Sequence, residues 1–133
     1  MPNDRDVSGV WYGSYSSTNR WVRPNRFIAL LSEQGGAFAG TITEPDAEGI
    51  TDILRADVTG TRSGATVHFT KRYDGASWTR NIVQYSGRID DAGTEITGEW
   101  SFSHYSGGFV MTRENFATEQ LEDEASDLMP FDS

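Results

Sequence analysis

The chain contains no cysteine, so it can form neither disulfide bonds nor thiolate metal sites. It has no apolar stretch long enough to span a bilayer. Its first six residues also lack the basic and then apolar layout of a signal peptide. These absences predict a cytoplasmic protein that has no membrane partner.

The common signatures of catalysis are missing as well. The sequence has no Gly-x-Ser-x-Gly motif, no Gly-rich phosphate loop and no paired-histidine motif. Neither His68 nor His104 has further ligands at metal spacing. An acid–base site could be assembled only from Tyr85, Lys71 and Glu99, and strand alternation puts Glu99 on the opposite face. Enzymatic activity is therefore left uncertain, and a non-enzymatic protein without metal or cofactor is favoured.

The negative charge is concentrated at one end of the chain. The net charge is −9, and the residues from Glu114 onward contain seven acids and no lysine or arginine. A net negative charge argues against nucleic acid as a partner. We therefore divide the chain into a nearly neutral domain, residues 7–113, and an acidic tail, residues 114–133, that is disordered or forms a short helix.

What is present is a series of short alternating segments, separated by many of the 14 glycines. Eight strand candidates cover approximately 8–16, 27–33, 37–43, 52–59, 65–73, 78–89, 95–102 and 109–113. Such a series predicts an all-β fold, an eight-stranded antiparallel up-and-down (meander) β-barrel. A two-sheet sandwich is the competing fold.

The two ends of this barrel are expected to differ. If the first strand pairs with the last, Arg113 lies over the indole of Trp11, and together they form a structural plug at one end. The connections after strands one, three, five and seven are longer or richer in side chains, and they emerge at the opposite end. That end is the expected mouth, where a ligand would bind.

Several segments in this order resemble the calycin superfamily of lipocalin-like and avidin-like barrels. The segments are Gly9-Val10-Trp11-Tyr12 with Ser17-Thr18, Phe38-Ala39-Gly40-Thr41, Thr66-Val67-His68-Phe69, Tyr85-Ser86-Gly87 and Gly98-Glu99-Trp100. The resemblance implies a barrel that binds a ligand at its open end. It also implies that Ser17 is a polar ligand contact and that Phe69, Tyr85 and Trp100 form aromatic walls. Gly13, Ile42, and Phe109 with Val110, stand where the avidin branch has polar contacts to biotin, so biotin binding is not implied.

The resulting hypothesis is a non-enzymatic barrel that binds a small, partly apolar or aromatic and possibly anionic molecule. The first connection supplies arginine and tryptophan, which suit an anionic group and a planar ring. The predicted ligand contacts are Tyr15, Ser17, Asn19, Arg20, Trp21, Phe69, Trp78, Tyr85, Trp100 and Phe109.

Two questions stay open at this stage. The barrel interior either holds a ligand cavity or is filled by side chains, in which case the protein is an interaction module that binds through its acidic tail. A lipocalin-like enzyme is the less favoured third interpretation. Avidin-like barrels associate through their outer faces, so a homo-oligomer is an open outcome, with Tyr12, Val110 and Ile82 as outward apolar candidates.

Overall fold

A computed structural model describes residues 5–19, 23–45, 53–74 and 82–113 of the chain. These residues form eight strands: β1 (Gly9–Ser17), β2 (Asn25–Gln34), β3 (Ala37–Pro45), β4 (Ile53–Ser63), β5 (Thr66–Tyr73), β6 (Ile82–Ile89), β7 (Glu95–Phe102) and β8 (Tyr105–Thr112). No helix in the described ranges is long and apolar enough to cross a membrane.

Each strand pairs antiparallel with the next, and β8 returns to pair with β1. In this closing pair, Tyr12 lies opposite Thr112 and Tyr15 lies opposite Phe109. Closure satisfies the backbone hydrogen bonds of both terminal strands, which would otherwise be exposed edges. The predicted eight-stranded antiparallel up-and-down barrel is confirmed.

Strand alternation separates the interior of the barrel from its outer surface. Along β2, burial alternates residue by residue from Asn25 to Ser32, as expected when one face of a strand lines a core. The middle of the barrel is filled by rings. Phe69 stacks on Tyr85 with centroids 4.6 Å apart, and Phe109 meets the Tyr85 ring edge-on at 5.1 Å. Phe38 adds a further edge contact to Phe69 at 6.0 Å.

Three glycines that face the barrel interior leave no open space beside them. A Cβ at Gly13 would lie 2.2 Å from Cζ of Phe27, so the Phe27 ring already occupies that space. At Gly40 and Gly98, the nearest atoms to a Cβ are carbonyl oxygens of neighbouring strands, at 1.8 and 2.0 Å. Glycine is needed at these positions because backbones approach closely or a ring covers the strand.

Trp11 and Arg113 are in contact at one end of the barrel. The guanidinium carbon of Arg113 lies 4.5 Å from the Trp11 ring centroid, and the indole N–H donates to the Val7 carbonyl at 2.8 Å. Arg113 also donates to the carbonyls of Ser8 and Gly93. The side chain of Trp11 is fully buried. This contact has the geometry of a cation–π interaction.

Within the described residues, the largest differences from the predicted strand boundaries lie beside glycines. The predicted eighth strand begins at Phe109, after Gly107 and Gly108, but these glycines pair with Ser17 and Ser16, so β8 begins at Tyr105 and its turn from β7 is only two residues long. A Cβ at Gly107 would lie 1.7 Å from the Ser16 carbonyl oxygen. The predicted fourth strand ends at Thr59, but the next residue, Gly60, lies within β4 opposite Phe69.

Candidate functional site

Buried polar side chains gather at the end of the barrel opposite Trp11 and Arg113. Tyr15, Glu44 and Tyr73 lie near the carboxyl ends of β1, β3 and β5, and Asn25 opens β2. In an antiparallel meander these strand ends meet at one rim. The fifth member, Lys71, lies two residues before Tyr73 and so faces the same side of β5. We call these five residues the mouth cluster.

Glu44 is the centre of the mouth cluster. It is 2% exposed, and its two carboxylate oxygens accept hydrogen bonds from four side chains. Oε2 accepts from the Tyr15 hydroxyl at 2.5 Å and from Asn25 Nδ2 at 3.2 Å. Oε1 accepts from Lys71 Nζ at 3.0 Å and from the Tyr73 hydroxyl at 3.1 Å. Several donors to the ionised form stabilise a carboxylate that burial would otherwise penalise.

Lys71 is 1% exposed, although lysine is rarely buried in proteins. Its Nζ lies 4.8, 4.6 and 5.3 Å from the ring centroids of Tyr15, Tyr73 and Tyr85. Burial lowers the pKa of Lys71, and the charge and hydrogen bond of Glu44 partly oppose that effect. The amine is therefore held between an anion and three aromatic faces.

The three tyrosines around Lys71 keep their phenolic protons. Burial, followed by the hydrogen bond and charge of Glu44, raises the pKa of Tyr15 to about 12. Burial and then the Glu44 charge also raise the pKa of Tyr73 and that of Tyr85. Neutral phenols at physiological pH can donate to Glu44 or to a polar ligand.

A cavity of about 220 Å³ opens beside the mouth cluster. Given the volume of about 30 Å³ that a water molecule occupies in the liquid, the cavity corresponds to roughly seven waters. The indole N–H of Trp100 donates to the Ser16 carbonyl at 2.9 Å, which fixes one wall. The lining residues are Tyr15, Lys71, Tyr73, Val83, Tyr85, Trp100 and Phe102.

The predicted ligand contacts fall into four groups. Tyr15, Tyr85 and Trp100 line the cavity, whereas Phe69 and Phe109 belong to the packed rings below it. The Ser17 hydroxyl donates to the Ser106 carbonyl at 3.3 Å and accepts from the Asn19 backbone N–H at 3.0 Å, so these two residues shape the chain after β1. The remaining predicted contacts, Arg20, Trp21 and Trp78, lie outside the described residues.

The sequence pattern assigned no binding role to Glu44, Asn25, Tyr73 or Lys71. The predicted third strand ended at Thr43, one residue before Glu44, although Phe38, Gly40 and Ile42 set an inward register that includes it. Composition alone singles out Lys71, because it is the only lysine in the chain. The other ten of the 11 lysines and arginines are arginine.

The outer surface offers weaker candidates. Glu99 is exposed on the outer face of β7, where it cannot act with Lys71. His68 Nδ1 and Ser86 Oγ lie 2.7 Å apart on the exterior of β5 and β6. Within the described ranges, no three His, Asp or Glu side chains are grouped to hold a metal ion.

No protein-family model and no curated protein matches the sequence. The fold is similar to that of a redesigned β-barrel, with a TM-score of 0.66 and 12% identity over 82% of this chain and 92% of that one. Weaker similarity extends to lobster apocrustacyanin A1 (TM-score 0.46, 14% identity, 90% of this chain and 68% of that one) and to a mutant of the fluorescent protein UnaG (0.44, 9%, 82% and 96%). At 9–14% identity, these similarities concern the fold alone.

Proposed function

We propose that this barrel is a non-enzymatic protein that binds a small, partly aromatic molecule in the cavity at its mouth. The observation that carries the proposal is the cavity of about 220 Å³, walled by aromatic rings and ending on a buried, charged hydrogen-bond network. Apolar walls with a few converging polar groups are the usual composition of small-molecule sites. Because side chains fill the middle of the barrel, a ligand is limited to the cavity at the mouth.

The energetics of the mouth cluster support a role in binding. Removing two charges from water costs several kcal/mol per ion, and well-packed apolar residues often replace a buried ion pair with no loss of stability. The Lys71–Glu44 pair is therefore a poor device for stability alone. Buried groups with shifted pKa values beside a cavity are more frequent at functional sites.

The residues of the mouth cluster favour a neutral polar ligand group over an anionic one. An anionic group close to Lys71 would also approach the carboxylate group of Glu44, which lies only 3.0 Å from the amine. A neutral polar group avoids that repulsion while it accepts from a tyrosine or from Lys71. An anionic ligand would depend on Arg20, which lies outside the described residues.

Three finer hypotheses accompany this proposal. The specific resemblance to the avidin-like branch rests on the order of sequence segments. The cytoplasmic location rests on composition and on the N-terminal sequence. The division into a barrel of residues 7–113 and a separate acidic tail of residues 114–133 rests on the distribution of charge. Proteolysis followed by mass spectrometry tests that division, because a separate tail should be removed while the barrel remains intact.

The first experiment is native mass spectrometry of the purified chain before and after denaturation. A molecule released on denaturation identifies the ligand, and the same spectrum gives the oligomeric state. Thermal shift with a panel of small aromatic compounds then measures binding directly. Protein that is bare in the spectrum and that no compound stabilises would contradict the proposal.

A cavity-filling variant tests the location of the site. Val83 lines the cavity and Gln84 faces outward on the same strand, so Val83→Phe and Gln84→Phe form a matched pair. We expect the first variant to abolish binding and the second to retain it. Overpacking costs about 1–3 kcal/mol, so a urea titration should establish that Val83→Phe is folded. Phe102→Trp is a second variant that fills the same cavity.

A filled interior favours the second candidate, an interaction module. Most of the core is packed, and the outer faces of β1 and β2 expose apolar side chains, with Tyr12 57% and Leu30 52% exposed. Deleting residues 115–133 separates the two functions. A ligand-binding barrel keeps its affinity for the small molecule, whereas a module that binds through its tail loses its partner.

A further inference from the structure

The wall of the mouth cavity contains the only primary amine among the side chains of this protein. The other ten of the 11 lysine and arginine side chains are arginines, including Arg62, which forms the second buried ion pair with Glu33. Arginine binds a carboxylate through two parallel hydrogen bonds and stays charged, whereas lysine can lose its proton and act as a nucleophile. The single lysine thus lies where its amine could react with a molecule in the cavity.

We propose that Lys71 binds small aromatic aldehydes covalently, as a reversible imine. This inference rests on the proposed function, because it assigns a ligand class to the same cavity. The aromatic ring would lie among Tyr85, Trp100 and Phe102, and the carbonyl carbon would reach Nζ. A cavity of about 220 Å³ suits an aldehyde built on a single ring.

The groups needed for the reaction surround the amine. Lys71 transfers a proton to Oε1 of Glu44, 3.0 Å away, and its lone pair then attacks the carbonyl carbon. The attacking nitrogen passes a proton to the carbonyl oxygen to give a carbinolamine. Glu44 then returns its proton to the carbinolamine hydroxyl, which leaves as water while the carbon–nitrogen double bond of a protonated imine forms. The balance is one amine and one aldehyde giving one imine and one water, with no oxidant or reductant.

Glu44 remains satisfied throughout this reaction. The hydroxyls of Tyr15 and Tyr73 and the amide of Asn25 donate to its oxygens independently of Lys71. If the imine loses its proton to solvent, these three donors still stabilise the buried Glu44 carboxylate. If the imine is protonated, Glu44 is its counter-ion. Burial lowers the pKa of Lys71, which increases the fraction of the nucleophilic free amine.

The test uses the full chain, benzaldehyde as the probe and benzyl alcohol as the matched compound that cannot form an imine. Cyanoborohydride reduces any imine to a stable secondary amine, which adds the mass of the aldehyde less one oxygen. Peptide mapping then distinguishes Lys71 from the N-terminal amine, the other amine in the chain. Thermal shift with both compounds measures reversible binding in parallel.

We expect the adduct on Lys71, with benzyl alcohol reducing its yield by competition. Val83→Phe keeps the lysine but fills the cavity, so it should lower the yield on the order of tenfold or more, because it removes the positioning of the aldehyde. Gln84→Phe should leave the yield unchanged. An adduct whose yield is the same in both variants would overturn the proposal.

The remaining outcomes separate this inference from the proposed function. If both compounds stabilise the protein but the adduct forms only at the N-terminus or not at all, imine formation is refuted and small-molecule binding stands. If neither compound nor the wider aromatic panel stabilises the protein and Lys71 is unmodified, both proposals fail.

Discussion

Replacing Lys71 by methionine removes one charge of the buried pair while keeping most of the side-chain volume. The ammonium group is 1% exposed and lies 3.0 Å from a carboxylate that is equally buried. Removing one partner of such a pair costs about 3–5 kcal/mol, because the other charge is left uncompensated. Tyr15, Asn25 and Tyr73 still donate to Glu44. We therefore expect Lys71→Met to lose about 3 kcal/mol, the lower end of that range.

The assay is urea denaturation followed by tryptophan fluorescence, with the free energy of unfolding taken at constant slope. Arg72→Met is the matched control, since Arg72 is exposed on the opposite face of β5 and should change stability by about 0.5 kcal/mol or less. Combining Lys71→Met with Glu44→Gln removes both charges and should recover much of the loss. If Lys71→Met behaves like Arg72→Met, Glu44 does not depend on its cation and the argument for a functional charge pair is refuted.

Three other perturbations address the plug, the phenols and the tail. Trp11→Ala should cost about 3–5 kcal/mol and lower the melting temperature without changing ligand preference; unchanged stability would refute the plug. Because burial raises the pKa of Tyr15 from 10.0 to about 12, the unfolded chain releases this proton first. The free energy of unfolding should therefore fall between pH 10.5 and 12, a window that begins at the ordinary pKa of lysine so that Lys71 contributes little to the change. Urea titrations at alkaline pH should show a less steep fall in Tyr15→Phe. Deleting residues 115–133 should leave affinity for a small aromatic ligand unchanged by thermal shift; a lost affinity would assign binding to the tail.

The barrel could be predicted from sequence because the patterns that define its strands and turns are local and repeat along the chain. Alternation along each strand sets an inward face, and turn residues separate the strands, so the meander follows without any distant contact. The Trp11–Arg113 contact followed from closure alone. The strand boundaries near Gly60 and Gly107 were predicted wrongly because these glycines allow close packing between strands and do not form turns.

The polar part of the site was harder to predict for a physical reason. Acidic and basic residues near strand ends resemble solvated loop residues, and Glu44 beside Pro45 matches that pattern. Alternation along β3 is consistent with an inward Glu44, but only the three-dimensional structure shows that it meets Lys71, which lies 27 positions away in the chain. Whether side chains fill the interior could not be predicted either, because it depends on how they pack. The fit of the Phe27 ring over Gly13 cannot be deduced from either residue alone.

The contact between Trp11 and Arg113 also determines how this protein could be handled. The chain enters β1 and leaves β8 on the same side of the barrel, away from the mouth. Attachment to a sensor surface or fusion to another protein through either of these positions would leave the entrance facing solvent. Joining them by a short linker and opening the Ser103–His104 turn would give a circular permutant whose new termini flank the ligand entrance.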